Sequence, residues 1–192
     1  TLFRSIGVLR ELANQNRIEE VRAYIDAIWN IQDEFDLKIH TGDSFLDVIV
    51  NYYLYLAQKE EIDFAVSGRL TGKTGLEMLD ITTLMANILQ NAVEAAVQAA
   101  TPKIRLELIE HKKEIFIVVS NSTVKKTDTG KGFLMTSKTD KANHGFGLKN
   151  IAETVEKYHG EYYMESTAEN GEAMFKISIA VPRNMLPEEN RV

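Results

Sequence analysis

The sequence predicts an α+β chain on three observations: apolar residues at helical spacing over the first thirty-odd positions, alternating strand and helix patterns from Ile62 onward, and strand pairs joined at His111-Lys112-Lys113 and at Asn170-Gly171. With 192 residues there is room for one ordinary domain and a short extra module. Lys and Arg number 22 against 28 Asp and Glu, a net charge of −6, so no global positive field attracts nucleic acid or an anionic membrane. Hydrophobic residues at 44% allow a core and exclude disorder of the whole chain. Cysteine is absent, which removes disulfides, thiolate metal sites and a cysteine nucleophile and suits a reducing cytoplasm. No apolar run reaches the ~20 residues of a membrane span, since Asn51, Gln90, Asn91, Glu94 and Gln98 interrupt the best candidates. A start at Thr1 without a signal-peptide pattern is expected of a piece of something longer.

Apolar residues at Leu2, Ile6, Leu9 and Ala13, then at Ile18, Val21, Ile25 and Ile28, predict two amphipathic helices separated by Asn14-Gln15-Asn16. Such a hairpin buries too little alone. Two copies pairing as a four-helix bundle is the favoured expectation, packing on the same chain the other. Residues 1–40 are thus read as hairpin and linker, 41–182 as a second domain and 183–192 as a polar tail.

In the second domain, Thr41 to Ser44 supplies N-cap chemistry for a helix to about Lys59. Ile62 to Val66 reads as a strand and Ser67 to Gly75, with three glycines, as a loop. Asp80 can cap the next helix, whose apolar face through Leu84, Ile88, Ala92 and Ala95 runs to about Ala100, before Pro102. Ile104, Leu106 and Leu108 alternate with polar residues and pair with the run Ile115 to Val119 as a hairpin. Asn121 to Asn143 is a long loop of the kind that usually carries function. Helical spacing resumes from Gly145 to Tyr158. Strands at Gly160 to Ser166 and Glu172 to Val181 close the chain, the latter presenting Ala173, Phe175, Ile177, Ile179 and Val181 on one face.

Three groups of residues can carry chemistry. Asn87, Asn91 and Glu94, at i, i+4 and i+7, project from one face of the long helix. Asparagine is a poor helix former, so the pair wants a reason: either a solvated polar stripe, or carboxamide oxygens that help hold a hydrated Mg²⁺ beside nucleotide phosphates. The stretch His144-Gly-Phe-Gly-Leu-Lys-Asn150 places a glycine pair at a loop-to-helix junction. That is either a plain turn or a site where backbone N–H groups receive phosphate. It is neither the dinucleotide fingerprint, whose third glycine is here Asn150, nor a P-loop, since the GK[ST] ending is missing. Asn121, after the apolar strand, is either a turn former or a donor and acceptor pair for the adenine edge.

In this order and at separations of about 30 and 24 residues, the three resemble the nucleotide-binding domain of the GHKL superfamily, which includes gyrase, Hsp90, histidine kinases and MutL. The resemblance spans Thr41 to Val181. Within it T-G-D-S-F-L-D-V-I-V-N from Thr41, the Ser120-Asn121 pair and H-G-F-G-L-K-N are most similar to sensor histidine kinases of the quorum-sensing type, which carry Asn where other kinases have the Asp of DxGxG. The resemblance implies a two-layer α/β sandwich, a mixed sheet with helices on one face, that binds ATP and Mg²⁺. Asn91 would ligate Mg²⁺, with Asn87 in the same pocket and Asn121 reading adenine. Gly145 and Gly147 would hold the phosphates within the motif that contains His144 and Leu148 and ends at Asn150. Residues 121–143 would form the ATP lid, with Lys138 a candidate phosphate contact.

The resemblance also implies phosphoryl transfer to a histidine and on to an aspartate of a response regulator, a homodimer through the hairpin, and a cytoplasmic location beneath a membrane-anchored parent. Two departures qualify it. Where gyrase-like ATPases carry a glutamate base, this chain has Asn87, which takes no proton, so hydrolysis is disfavoured. The acceptor histidine expected at or just before Thr1 is also missing, the histidines being His40, His111, His144 and His159. The rivals are a serine kinase of the anti-sigma type on the same fold, a nucleotide-sensing scaffold without kinase activity, and a helical interaction module whose Asn and Gly pattern is accidental.

Overall fold

The computed structural model describes residues 38–72, 74–124, 146–169 and 172–183. The chain divides into two compact units, Thr1–Asp36 and Leu37–Val192, and every described residue belongs to the second. The expected helical hairpin with its dimer face, the greater part of the lid, the Asn170-Gly171 turn and the tail beyond Arg183 lie outside the described residues.

Five strands form one sheet in the order β1-β2-β3-β5-β4. They are β1 (Asp63–Ser67), β2 (Lys103–Glu110), β3 (Glu114–Ser122), β4 (Glu161–Glu169) and β5 (Glu172–Pro182). The β1–β2 pair is parallel and the other three are antiparallel, so the sheet is mixed. A parallel pair needs a long crossover, and α2 (Met78–Ala96) supplies it. It lies with α1 (Ser44–Lys59) and α3 (Phe146–Lys157) on one face of the sheet: α1 packs on α2 and β1, α2 on β2, β3 and α3, and α3 on β4. Period-2 alternation assigns that face: Ile104, Leu106, Leu108, Ile115, Ile117, Val119, Ile177, Ile179 and Val181 are buried beneath the helices. The other face carries the ion pairs Arg105–Asp63 and Lys176–Glu165.

Among the described residues the expected element types hold and several boundaries move. Ile62 and Gly160 do not open strands. Glu61 and His159 take the left-handed conformation, with φ of 55° and 53°, and the next amides, of Ile62 and Gly160, reach back to the carbonyls of Ala57 and Val155 at 2.8 and 2.9 Å. Both residues therefore terminate helices, in Schellman motifs built without glycine at the left-handed position. α2 stops at Ala96 rather than near Ala100, because the next side chain, Val97, is 44% exposed and faces no core. Asp80 does not cap α2: Glu77 occupies the cap position without a side-chain bond, while Asp80 is drawn to Lys157 and Tyr158. Along α2 it is Ala96, not Ala95, that completes the buried row with Leu84, Ile88 and Ala92. On β5 the single-face pattern holds from Phe175, which packs against the core, but Met174 is buried in place of Ala173, opposite the buried Ser122 of β3.

Asp43 organises the chain where it enters this unit. Its side chain, on a residue 2% exposed, caps α1 by accepting from the amides of Phe45 and Leu46, and its second oxygen accepts from the Thr74 amide at 2.9 Å. One turn on, Asp47 accepts from the Thr41 amide and hydroxyl, and Asn51 both donates to and accepts from the backbone of Ile39. One face of α1 thereby fixes residues 39–41 and the segment that leads into α2.

Candidate functional site

The structure gathers the described candidates at one end of the sandwich. Lys157 and Tyr158, at the end of α3, bind Glu77 and Asp80 at the start of α2, and the helices pack side by side, so they run antiparallel. Ten residues back from Lys157, Gly147 lies at the far end of α3, on the side of the middle of α2 rather than its start. The same half of α2 leads through residues 97–102 into β2, whose Ile104 pairs with Asn121. Asn91, Asn121 and Gly147 thus belong to one end of this unit.

Asn121 is not a turn residue. It lies inside β3, 3% exposed, paired with Ile104 on one side and Phe175 on the other. It continues the helix-facing row of Ile115, Ile117 and Val119, a carboxamide where the pattern calls for an aliphatic side chain. Its Nδ2 donates to the Ser122 carbonyl at 2.9 Å, which fixes the orientation of the side chain. A buried amide on the apolar face of a strand is costly unless hydrogen-bonded, as this one is, and its planar donor and acceptor pair suits an aromatic base edge.

On α2, Asn91 is exposed and Asn87 is half-buried. Asn87 donates its Nδ2 to the Thr83 carbonyl at 2.8 Å, which fixes the orientation of its carboxamide. Glu94, on the same face, accepts from the Gln90 Nε2 at 2.7 Å. Gln90 stands between the two asparagines and accounts for a contact that sequence spacing missed: the Tyr53 hydroxyl of α1 donates to the Ala86 carbonyl at 3.1 Å and lies 3.4 Å from the Gln90 Oε1. No motif marks Tyr53, because its partner is 33 residues away in the chain.

Gly147 lies in the first turn of α3, Leu148 packs against the core and Asn150 is exposed. The first-turn amides of a helix are the backbone donors an anion uses. Lys138, His144 and Gly145 lie outside the described residues. Among the described residues no cluster of three or more His, Cys, Asp or Glu could hold a metal on its own.

A family model described as GHKL domain matches residues 76–182, more than half of the chain. The chain belongs to the GHKL domain family. No curated protein matches it. Among solved structures it is similar to the nucleotide-free catalytic domain of histidine kinase ThkA, with a TM-score of 0.55 and 16% identity over 72% of this chain and 91% of that one. It is also similar to the mycobacterial sensor histidine kinase MprB, with a TM-score of 0.53 and 13% identity over 73% of this chain and 97% of that one. The fold is that of histidine kinase catalytic domains.

Proposed function

We propose that the chain is the ATP-binding catalytic region of a two-component sensor histidine kinase of the quorum-sensing type. One observation carries the reading: a buried carboxamide, Asn121, interrupts an apolar strand face at the same end of the fold as Asn87, Asn91 and the first turn of α3. In this reading Asn121 pairs with the adenine edge, and Asn91, beside Asn87, would hold the Mg²⁺ that accompanies the nucleotide. The amides of Gly145 and Gly147, with His144, Leu148, Asn150 and Lys138, enclose the phosphates. When bound, Mg²⁺ would supply positive charge beside the phosphates. The protein binds and orients ATP, and because Asn87 accepts no proton it does not activate water.

Residues 1–40 act as the dimerisation hairpin and linker, 41–182 as the catalytic domain and 183–192 as a tail. The receiver domain of a response regulator takes the phosphoryl group onward, and the parent protein is membrane-anchored with this region in the cytoplasm. The missing acceptor histidine supports a narrower statement for the chain itself: it binds Mg·ATP without labelling itself. Retained label after incubation with γ-labelled ATP contradicts that.

Calorimetric titration of ATP with and without Mg²⁺, on the wild type and on Asn91→Ala, tests the site. The expected result is Mg²⁺-dependent binding that falls about tenfold in the variant, the loss of one charge-assisted ligand interaction. Identical binding curves for the two proteins remove Asn91 from the metal site.

A further inference from the structure

We infer that Tyr53 is a positioning residue for the α2 carboxamides: its hydroxyl grips α2 one residue before Asn87 and one residue before Asn91, and so sets the rotation of that helix toward the nucleotide. The inference rests on the ATP-binding reading above and adds a residue on a different helix. Tyr53 is 5% exposed on α1, and its ring meets Tyr52 edge-on at 5.2 Å between centroids, so the side chain is held by packing. The Ala86 carbonyl it reaches, at 3.1 Å, is an interior helix carbonyl that already accepts its own i+4 amide, that of Gln90. Gln90 turns its Oε1 toward the same hydroxyl and its Nε2 toward Glu94, so one tyrosine proton ends a chain that runs along the candidate site face. Burial, then the neighbouring Tyr52 and Glu94, pushes the hydroxyl up to about 12, and it remains a donor throughout the physiological range.

The other fully buried apolar residues of α1 and α2 in the core add no directional bond. Leu46, Val50 and Ala57 of α1 and Leu84, Met85, Ile88 and Leu89 of α2 are buried in one cluster, and such packing is non-directional. An O–H to carbonyl bond is directional. A rotation of about 10° about the helix axis moves a carboxamide ~6 Å from that axis by about 1 Å, enough to spoil a ligand contact.

Tyr53→Phe keeps the ring and deletes the grip. Calorimetric titration of ATP, with Mg²⁺ and with a chelator, is expected to show that the variant loses about fivefold in affinity when Mg²⁺ is present. Without Mg²⁺ it stays within about twofold of the wild type, because Asn121 holds the base in both. Gln90→Met, at an exposed position that leaves the core untouched, shifts binding in the same direction by a smaller factor. Tyr55→Phe, on another face of α1, binds as the wild type does. Wild-type binding with no change in Tyr53→Phe and Gln90→Met overturns the inference, as does an equal loss with and without Mg²⁺, which a general structural role produces. A wild type that binds no ATP instead overturns the nucleotide reading, and the positioning role with it.

Discussion

The start of α2 and its middle are held by different physics. At the start, side chains do the holding: the Asp43 carboxylate fixes Thr74, the Tyr158 hydroxyl accepts from the Glu77 amide at 2.9 Å, and Lys157 bridges Glu77 and Asp80. In the middle, buried aliphatic side chains and one tyrosine hydroxyl suffice. Polar bonds dominate where the chain arrives from a loop with unpaired amides. Packing dominates where the backbone already satisfies itself within the helix. The candidate ligand groups sit on the packed half, where a firm core leaves neighbouring polar side chains available for a partner.

The comparison can be broken in order of expected effect. Asp43→Ala removes the α1 cap and strands the buried Thr74 amide, so the largest loss is expected there, about 3 kcal/mol, read from a urea midpoint. If that variant unfolds at the wild-type midpoint, the approach to α2 is held by something other than this carboxylate. Tyr53→Phe in the middle leaves the aliphatic cluster intact and is expected to cost about 1 kcal/mol, with an unchanged denaturant slope. A loss as large as that of Asp43→Ala would mean that the hydroxyl, not the packing, holds the middle.

The smallest effect belongs to the exposed end of the pair. Hydrogen bonds from Lys157, then from Tyr158, hold the Asp80 carboxyl below its ordinary 3.8. A lowered carboxylate stabilises the fold above the unfolded-state value and loses that contribution as pH falls through its folded-state value. The stability gap between the wild type and Asp80→Asn should therefore be present at pH 7 and close below pH 3.8. A gap that persists at pH 2 assigns the effect to packing rather than charge.

Much of this fold is legible in the chain. Alternation at Ile104, Leu106 and Leu108 selects strand and face together, and the α2 pattern yields a helix whose one polar face carries both asparagines. The order of Asn, Asn and Gly motifs suffices to select the family, since each is a local requirement of backbone or side-chain chemistry. The boundaries at Ile62 and Gly160 are less legible. A left-handed glutamate or histidine carries no sequence signature, and only the reach of the following amide to Ala57 or Val155 reveals it.

Local periodicity by itself determined which of the described residues form helices and strands and that both α2 asparagines share one polar face. Only the tertiary structure decided that Asn121 is buried within a paired strand rather than left at a turn, because that depends on β5 arriving beside β3 with Phe175 opposite it. It also decided that Tyr53 meets Ala86 and Gln90. A hydrogen bond across 33 residues depends on how α1 and α2 pack, and no spacing rule along one chain contains that distance.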